Sequence, residues 1–439
     1  MKNKLLSTIL SVSIITGLLT GCQSAPTETP ITDATNDLSG TLVLAIWDND
    51  SMHLYEEMDL EGRFQKLYPH AAIEVEKIKD DSEYWNTMKI RAAANQLPDI
   101  MCNKPFTLSR FQDYLLDLSD TSAATNNMLA EGYAINGKVL GIPERKTQEY
   151  VFYWKNLFKE AGVCVPTTWG ELEEVSLRLQ DFYGKDNKNF AAIAIGGKDE
   201  SPTYPFMEYM PCLEQGNGQY WNDMATQDAP FAADTDITKA YQKVYTLFQS
   251  GVFGKDPNGI GHDQAVALFA QQQSAMIACG GWGLTSITEG ADNIDELGTF
   301  YLPTRDSVSD PFRTITQGDS FLSITSSSDN PELAKAFLEF YFSDAWYPEY
   351  IAALTDDNTM KNVTKDKAPT LAQADELQPN AELIMYAGSG DDFTALQSET
   401  TFDYKKLGAQ MLVKDFDLNA ALKDLNTKWA AARAKLGIE

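Results

Sequence analysis

"GTLVLAIWDNDSMHLYEEMDLEGRFQKLYPHAAIEVEKI", residues 40–78, changes its periodicity twice. Residues 40–47 form a short apolar run with Val43, Ile46 and Trp47, the composition of a buried strand. "DNDSM" (48–52) reads as a polar loop. From Tyr55 onward Phe64, Leu67 and Tyr68 share one face of a helix that Pro69 closes. Ile73 and Val75 then alternate with charges, the period of a half-buried strand. Further out, Trp85, Met88 and Ala92 recur at helical spacing, and "LPDIMC" (97–102) reads as a third strand. Strand, helix, strand, helix, strand predicts an α/β layer on a parallel sheet.

The alternation continues downstream. In "YAINGKVLGIP" (133–143) Asn136-Gly137 between apolar runs predicts a type I′ turn, whose two central residues need positive φ. "YVFYW" (150–154), "NFAAIAIGG" (189–197), "QSAMIACGGWG" (273–283) and "GDSFLSITSSS" (318–328) read as strands. "WGELEEVSLRLQDFY" (169–183) and "TKAYQKVYTLFQSG" (238–251) read as amphipathic helices, the second ending at Gly251. "NPELAKAFLEFYFS" (330–343) has Pro331 in a first helical turn, and residues 417–436 form a closing helix.

The N-terminus has a different design. Lys2 and Lys4 precede a mostly apolar run, Leu5–Leu19, too short for a membrane span of about 20 residues and laid out as a secretory signal. Leu19-Thr20-Gly21-Cys22 resembles the bacterial lipobox, in which cleavage before Cys leaves a thiol that carries a diacylglycerol thioether. Residues 1–21 are therefore expected to be a signal peptide. Cys22 becomes a lipidated N-terminus on the outer face of a membrane, since two or more acyl chains anchor stably. Residues 23–40 are rich in Pro, Thr, Ser and Asp, so a flexible tether is expected from Cys22 to about residue 39.

The 35 Lys and Arg against 63 Asp and Glu give a formal charge of −28, and a nucleic-acid partner is not expected because so acidic a chain repels phosphate. Beyond Cys22 the four cysteines, Cys102, Cys164, Cys212 and Cys279, form no C-x-x-C. They leave three disulfide connectivities open, with buried free thiols the expectation. His53, His70 and His262 stand far apart, and neither a metal site nor a cofactor is expected.

Several stretches, in this order, resemble the extracellular solute-binding proteins of ABC importers, in the sugar-binding group related to maltose-binding protein. They are "FQKLYPHAAIEVE" (64–76), "LPDIM" (97–101), residues 136–174, "QSAMIACGGWG" and "SFLSITSSSDNPELAKAFLEFYFS" (320–343). The segment 136–174 is the most specific, with its hairpin, apolar strand, Lys155-Asn156, "LF" and "AG", and "TWGEL". The resemblance implies a two-lobed α/β fold of the periplasmic-binding-protein type, helices on mixed and mostly parallel sheets. It places one lobe at 40–146 with about 304–350 and the other at 147–303 with about 351–439. Hinge crossings follow near 144–149, 301–316 and 346–355. It further implies a monomer, ABC permease subunits as partners and a carbohydrate ligand, most simply an oligosaccharide, with no bond made or broken.

A sugar presents hydroxyls and apolar C–H faces, so its site needs flat aromatics and fixed carboxylates and amides, gathered where strands end. Trp47, Asp48 and Asn49 end the first strand, and Asn103 follows "PDIMC". Glu144 and Arg145 stand past the hairpin, Tyr204 and Phe206 past "IAIGG", Trp282 after Gly280-Gly281, and Asp319 opens the loop after the second crossing. In the resembled family an aromatic at the position of Trp282 stacks on sugar. Each has a plain alternative: Trp47 and Trp282 as packing residues, Glu144 paired with Arg145, Phe206 in a core.

Other chemistries fit less well. Gly318-Asp319-Ser320 and the D-x-x-H of Asp50 and His53 stand in the reverse of the order that a hydrolase with those motifs uses. Asp48-Asn49-Asp50 opens like an EF-hand loop, but His53 occupies the position that requires glycine. A lipid-anchored glycosidase would need two carboxylates across a scissile bond, and no motif marks them. A receptor for a non-sugar solute such as a polyamine also suits the acidic surface.

Overall fold

The computed structural model describes residues 37–79 and 81–438. The expected signal peptide, Cys22 and the tether up to residue 36 lie outside the described residues. Among the described residues nine strands form the frame: β1 (Ser39–Ile46), β2 (His70–Lys77), β3 (Ile100–Asn103), β4 (Ile142–Trp154), β5 (Ala191–Ala194), β6 (Ser274–Gly280), β7 (Leu297–Phe300), β8 (Arg313–Ile324) and β9 (Glu382–Met385). β1 pairs in parallel with β2 and β3, with Leu42 opposite Ile73 and Leu44 opposite Ile100. β5 and β6 are parallel, and so are β8 and β9.

β4 and β8 are the long strands, and they join the two halves. They run antiparallel from Ile142 opposite Leu322 to Gln148 opposite Thr316. β8 also pairs antiparallel with β3, and beyond the crossing β4 pairs antiparallel with β6 and β7. The sheets are thus mixed. Every pair that includes β4 is antiparallel, whereas β8 is antiparallel to β3 and β4 but parallel to β9. A third segment runs along this crossing, where the Asp357 backbone exchanges hydrogen bonds of 2.8 and 2.9 Å with Lys146, and it reaches the second core only past Met360, at Ala368.

Two separate apolar cores lie on either side of this crossing. One gathers Leu42, Leu44, Ile100, Phe321, Phe337 and Tyr347. The other gathers Phe152, Trp154, Ile193, Trp221, Met276 and Trp429. Phe312 and Ile315 pack in the second core, so β8 crosses at 316–319, at the far end of the expected 301–316 and just beyond it. Leu354 and Met360 pack in the first core, so the third crossing also falls beyond the expected 346–355.

Local chemistry explains most element ends. Asn136 (φ 52°) and Gly137 (φ 77°) form the predicted turn, closed by paired hydrogen bonds between Ile135 and Lys138. The helix Trp169–Tyr183 begins where Thr168 accepts the Glu171 N–H. One expectation is corrected. "DNDSM" is not a loop: Asp48 caps a helix, Asn49–Glu57, by accepting the Asp50 N–H. That helix breaks at Asp59 (φ 57°) before a second, Leu60–Gln65, so the single helix expected from Tyr55 is two. No helix among the described residues is long and apolar enough to cross a membrane. Cys102, Cys164, Cys212 and Cys279 are unpaired, all but Cys164 buried.

Candidate functional site

The ends of β1, β3 and β6 and the crossing of β4 and β8 converge on a cleft between the two cores. It holds two cavities, of about 360 and 270 Å³, which share Trp282 and Asp319 as a common wall. The first is lined by Trp47, Asp48 and His53 from one lobe, Trp282 and Thr285 from the other, and Arg145, Asp319 and Asp356 from the crossing segments. The second is lined by Lys104 and Phe106 on one side, Tyr204, Glu208, Tyr386 and Lys405 on the other, and Glu149 beneath.

Arg145 organises the floor of the first cavity. Its guanidinium donates to Asp48 and to Ser320 Oγ (3.0 Å), and lies 3.6 Å from both Glu144 and Asp356. Burial draws the Asp48 pKa upward, but the Arg145 charge, with hydrogen bonds from Arg145, Ser51 and the Asp50 N–H, outweighs it and holds the carboxyl below its ordinary value. Asp48 is therefore a fixed anion facing the cleft. Trp47 beside it is packed edge-on to Tyr84, with the Lys104 ammonium 5.4 Å from its ring centroid.

Trp282 owes its place to the glycines around it. A Cβ on Gly280 would collide with the indole, and one on Gly281 would stand 3.3 Å from the Tyr150 ring. β6 therefore ends so that its chain can turn and present the ring, 43% exposed, at the partition between the cavities. Tyr204 is tied beside it, its hydroxyl accepting the Gly280 N–H (3.0 Å) and donating to Glu149 Oε2 (2.7 Å). Glu208 accepts from Tyr386 (2.7 Å) and lies 3.7 Å from the Lys405 ammonium.

The sequence-predicted residues divide. Trp47, Asp48, Arg145, Tyr204, Trp282 and Asp319 are brought together around the cleft. Asn49 is exposed at the start of its helix and lines neither cavity. Phe206 is buried in the second core against Phe248 and Phe253. Asn103 is fully buried, donating to Ser323 (3.0 Å) and accepting from Thr107 (2.8 Å), which leaves its amide committed within the fold. Glu144 is buried below Arg145, accepting from Tyr350 (2.6 Å) and Tyr341 (3.0 Å). Burial pushes its carboxyl up to about 7, against the pull of Arg145 and the two tyrosines. Sequence reasoning missed Lys104, Glu149, Glu208, Asp356, Tyr386 and Lys405. Glu149 had a signal, a lone acid at the edge of the apolar run "YVFYW"; the last three lie beyond residue 350, where only helices were read.

A model of the bacterial extracellular solute-binding protein family matches residues 51–348. The multiple sugar-binding protein of Streptococcus mutans serotype c is 22% identical over 344 residues, covering 75% of this chain and 79% of that one. The melibiose/raffinose/stachyose-binding protein MelE of Bacillus subtilis strain 168 is 23% identical over 381 residues, 82% of each chain. Among solved structures, apo RafE from Streptococcus pneumoniae superposes with a TM-score of 0.71 at 22% identity, covering 90% of this chain and 98% of the other. That likeness establishes a shared fold.

Proposed function

We propose that this chain, which belongs to the bacterial extracellular solute-binding protein family, is the carbohydrate receptor of an ABC importer, held at the membrane by lipidated Cys22. The observation that carries the ligand class is that two indoles, Trp47 from one lobe and Trp282 from the other, line one cavity with Asp48, Asp319 and Asp356. Aromatic faces match the C–H faces of a saccharide, and Asp48 and Asp319 offer acceptors to its hydroxyls. The names of the relatives above point the same way.

The mechanism is a population shift. A ligand touching both lobes has more contacts when the cleft is closed, so it favours that form by its differential affinity, and the permease reads the closed form. The bodies that move are those built on the two cores, pivoting where β4, β8 and the segment at Asp357 cross. No bond is made or broken in this reading, and no cofactor is called for.

The test is a thermal-unfolding screen of the protein against melibiose, raffinose and stachyose, with spermidine and amino acids as controls. A ligand at 100 times its dissociation constant adds about 2.7 kcal/mol to the native state. A saturable rise with a sugar recovered intact supports the reading. A sugar returned cleaved replaces it with a glycosidase, and a response to spermidine alone keeps the fold and overturns the ligand class.

A further inference from the structure

Glu149 stands opposite Gly280 in the pairing of β4 with β6, so no side chain covers it from that strand. Its two oxygens have different surroundings. Oε2 accepts from the Tyr204 hydroxyl at 2.7 Å, and the direction of that bond is set because the same hydroxyl accepts the Gly280 N–H. Oε1 has no hydrogen-bond partner among the described residues, on a side chain that lines the second cavity. It lies 3.2 Å from the point where a Cβ on Gly280 would stand, the spot that the Trp282 indole edge also borders. The free oxygen is thus beside the ring that divides the cleft.

We propose that Glu149 is a specificity-determining residue of the second cavity, a neutral carboxylic acid whose Oε1 hydroxyl donates a hydrogen bond to an oxygen of the sugar unit lying against Trp282. The proposal rests on the carbohydrate reading above. Its protonation follows from its surroundings. Burial is the largest influence and pushes the carboxyl up to about 8; the Tyr204 bond opposes it, Glu208 and Asp356 add to it, and Lys405 opposes it. Tyr150, Tyr209 and Cys279, which also interact with it, are themselves pushed upward by burial and stay neutral, while Lys104 and Asp319 are the further charged groups on the wall of the same cavity. With Oε2 already accepting from Tyr204, the proton belongs on Oε1. A neutral acid kept as a donor rewards a ligand acceptor and leaves a deoxy analogue unmatched.

Isothermal titration of the full chain with melibiose, raffinose and stachyose between pH 6 and 9 tests this, using wild type, Glu149→Gln and Glu149→Ala. Glutamine copies the neutral acid, with its carbonyl toward Tyr204 and its amide toward the ligand. Wild-type affinity is expected to be level up to about pH 7 and to fall as the pH passes the ionisation of Glu149. Glu149→Gln is expected to retain affinity at pH 7 and to lose that alkaline fall. Glu149→Ala is expected to weaken binding about tenfold, the order of one buried hydrogen bond. A glutamine variant as weak as the alanine variant overturns the neutral donor, because the charge would then be what binds. Unchanged affinity in the alanine variant removes Glu149 from the site while leaving the receptor reading intact. Wild type binding none of the three sugars overturns the carbohydrate reading, and this proposal with it.

Discussion

An indole left 43% exposed in a cavity that a second indole also lines is apolar area open to a ligand. Trp282 borders both cavities, so any ligand long enough to occupy the two must pass it. Trp282→Ala is expected to weaken sugar binding by about 1–3 kcal/mol, the order of a buried aromatic contact. Titration of the folded variant checks this, and unchanged affinity would remove the ring from the site. The neighbourhood of this residue was partly legible, for a clear reason. Tryptophan at a strand end behind two glycines has no packing partner in its own segment, so its exposure could be anticipated. Asn103 ends β3 and Phe206 comes after β5, but side chains from distant elements close over them: Ser323 in one case, Phe248 and Phe253 in the other. Glu208 and Lys405 were invisible for the opposite reason, since a cleft opened beside them that no local pattern announces, and Glu149 left only the trace of a lone acid beside an apolar run.

At the scale of elements, β6 decides where the second lobe meets the ligand. Seven buried residues end at Gly280, and the chain turns through Gly281 and Trp282 into the helix Gly283–Glu289. Gly280→Ala needs no forbidden φ, but its methyl would occupy the place of the Trp282 ring edge. The side chain that must yield is partly exposed and can swing outward. The variant is therefore expected to keep its thermal midpoint within a few degrees and to lose sugar affinity to about the same extent as Trp282→Ala. A large loss of stability with unchanged affinity per folded molecule would show that the glycine serves packing alone. Elements of this kind were read well where one physical signal dominated, as in the helix Trp169–Tyr183 with its Thr168 cap. The stretch 48–65 was read poorly because Asp48, Asn49 and Asp50 carry loop composition. Their work as cap and first turn depends on Arg145, which pins the Asp48 carboxylate from another strand.

For the whole molecule, two cores joined by three crossing segments create a cleft whose walls can approach without breaking either core. The family resemblance implied that division, whereas the alternation by itself gave only an α/β layer. The positions of the crossings were not foreseeable, because they depend on which core claims Phe312, Ile315 and Leu354. A receptor of this kind serves a permease only if it stays near the membrane, and the chain's charge of −28 works against adsorption to anionic lipid. A single acyl chain gives marginal binding, whereas a lipidated N-terminal cysteine carries at least two. On the proposed lipid anchor, attachment depends on one atom, the Cys22 sulfur, and on no surface of the folded body. Cys22→Ala is expected to leave sugar affinity and thermal midpoint unchanged while moving the protein from the membrane fraction to the soluble one. Fractionation of cells expressing either form, with sugar titration of the released protein, measures both. Continued sedimentation with membranes would refute the anchor and point to a protein contact instead. Release together with a loss of affinity would mean that the N-terminus supports the cleft as well as tethering it.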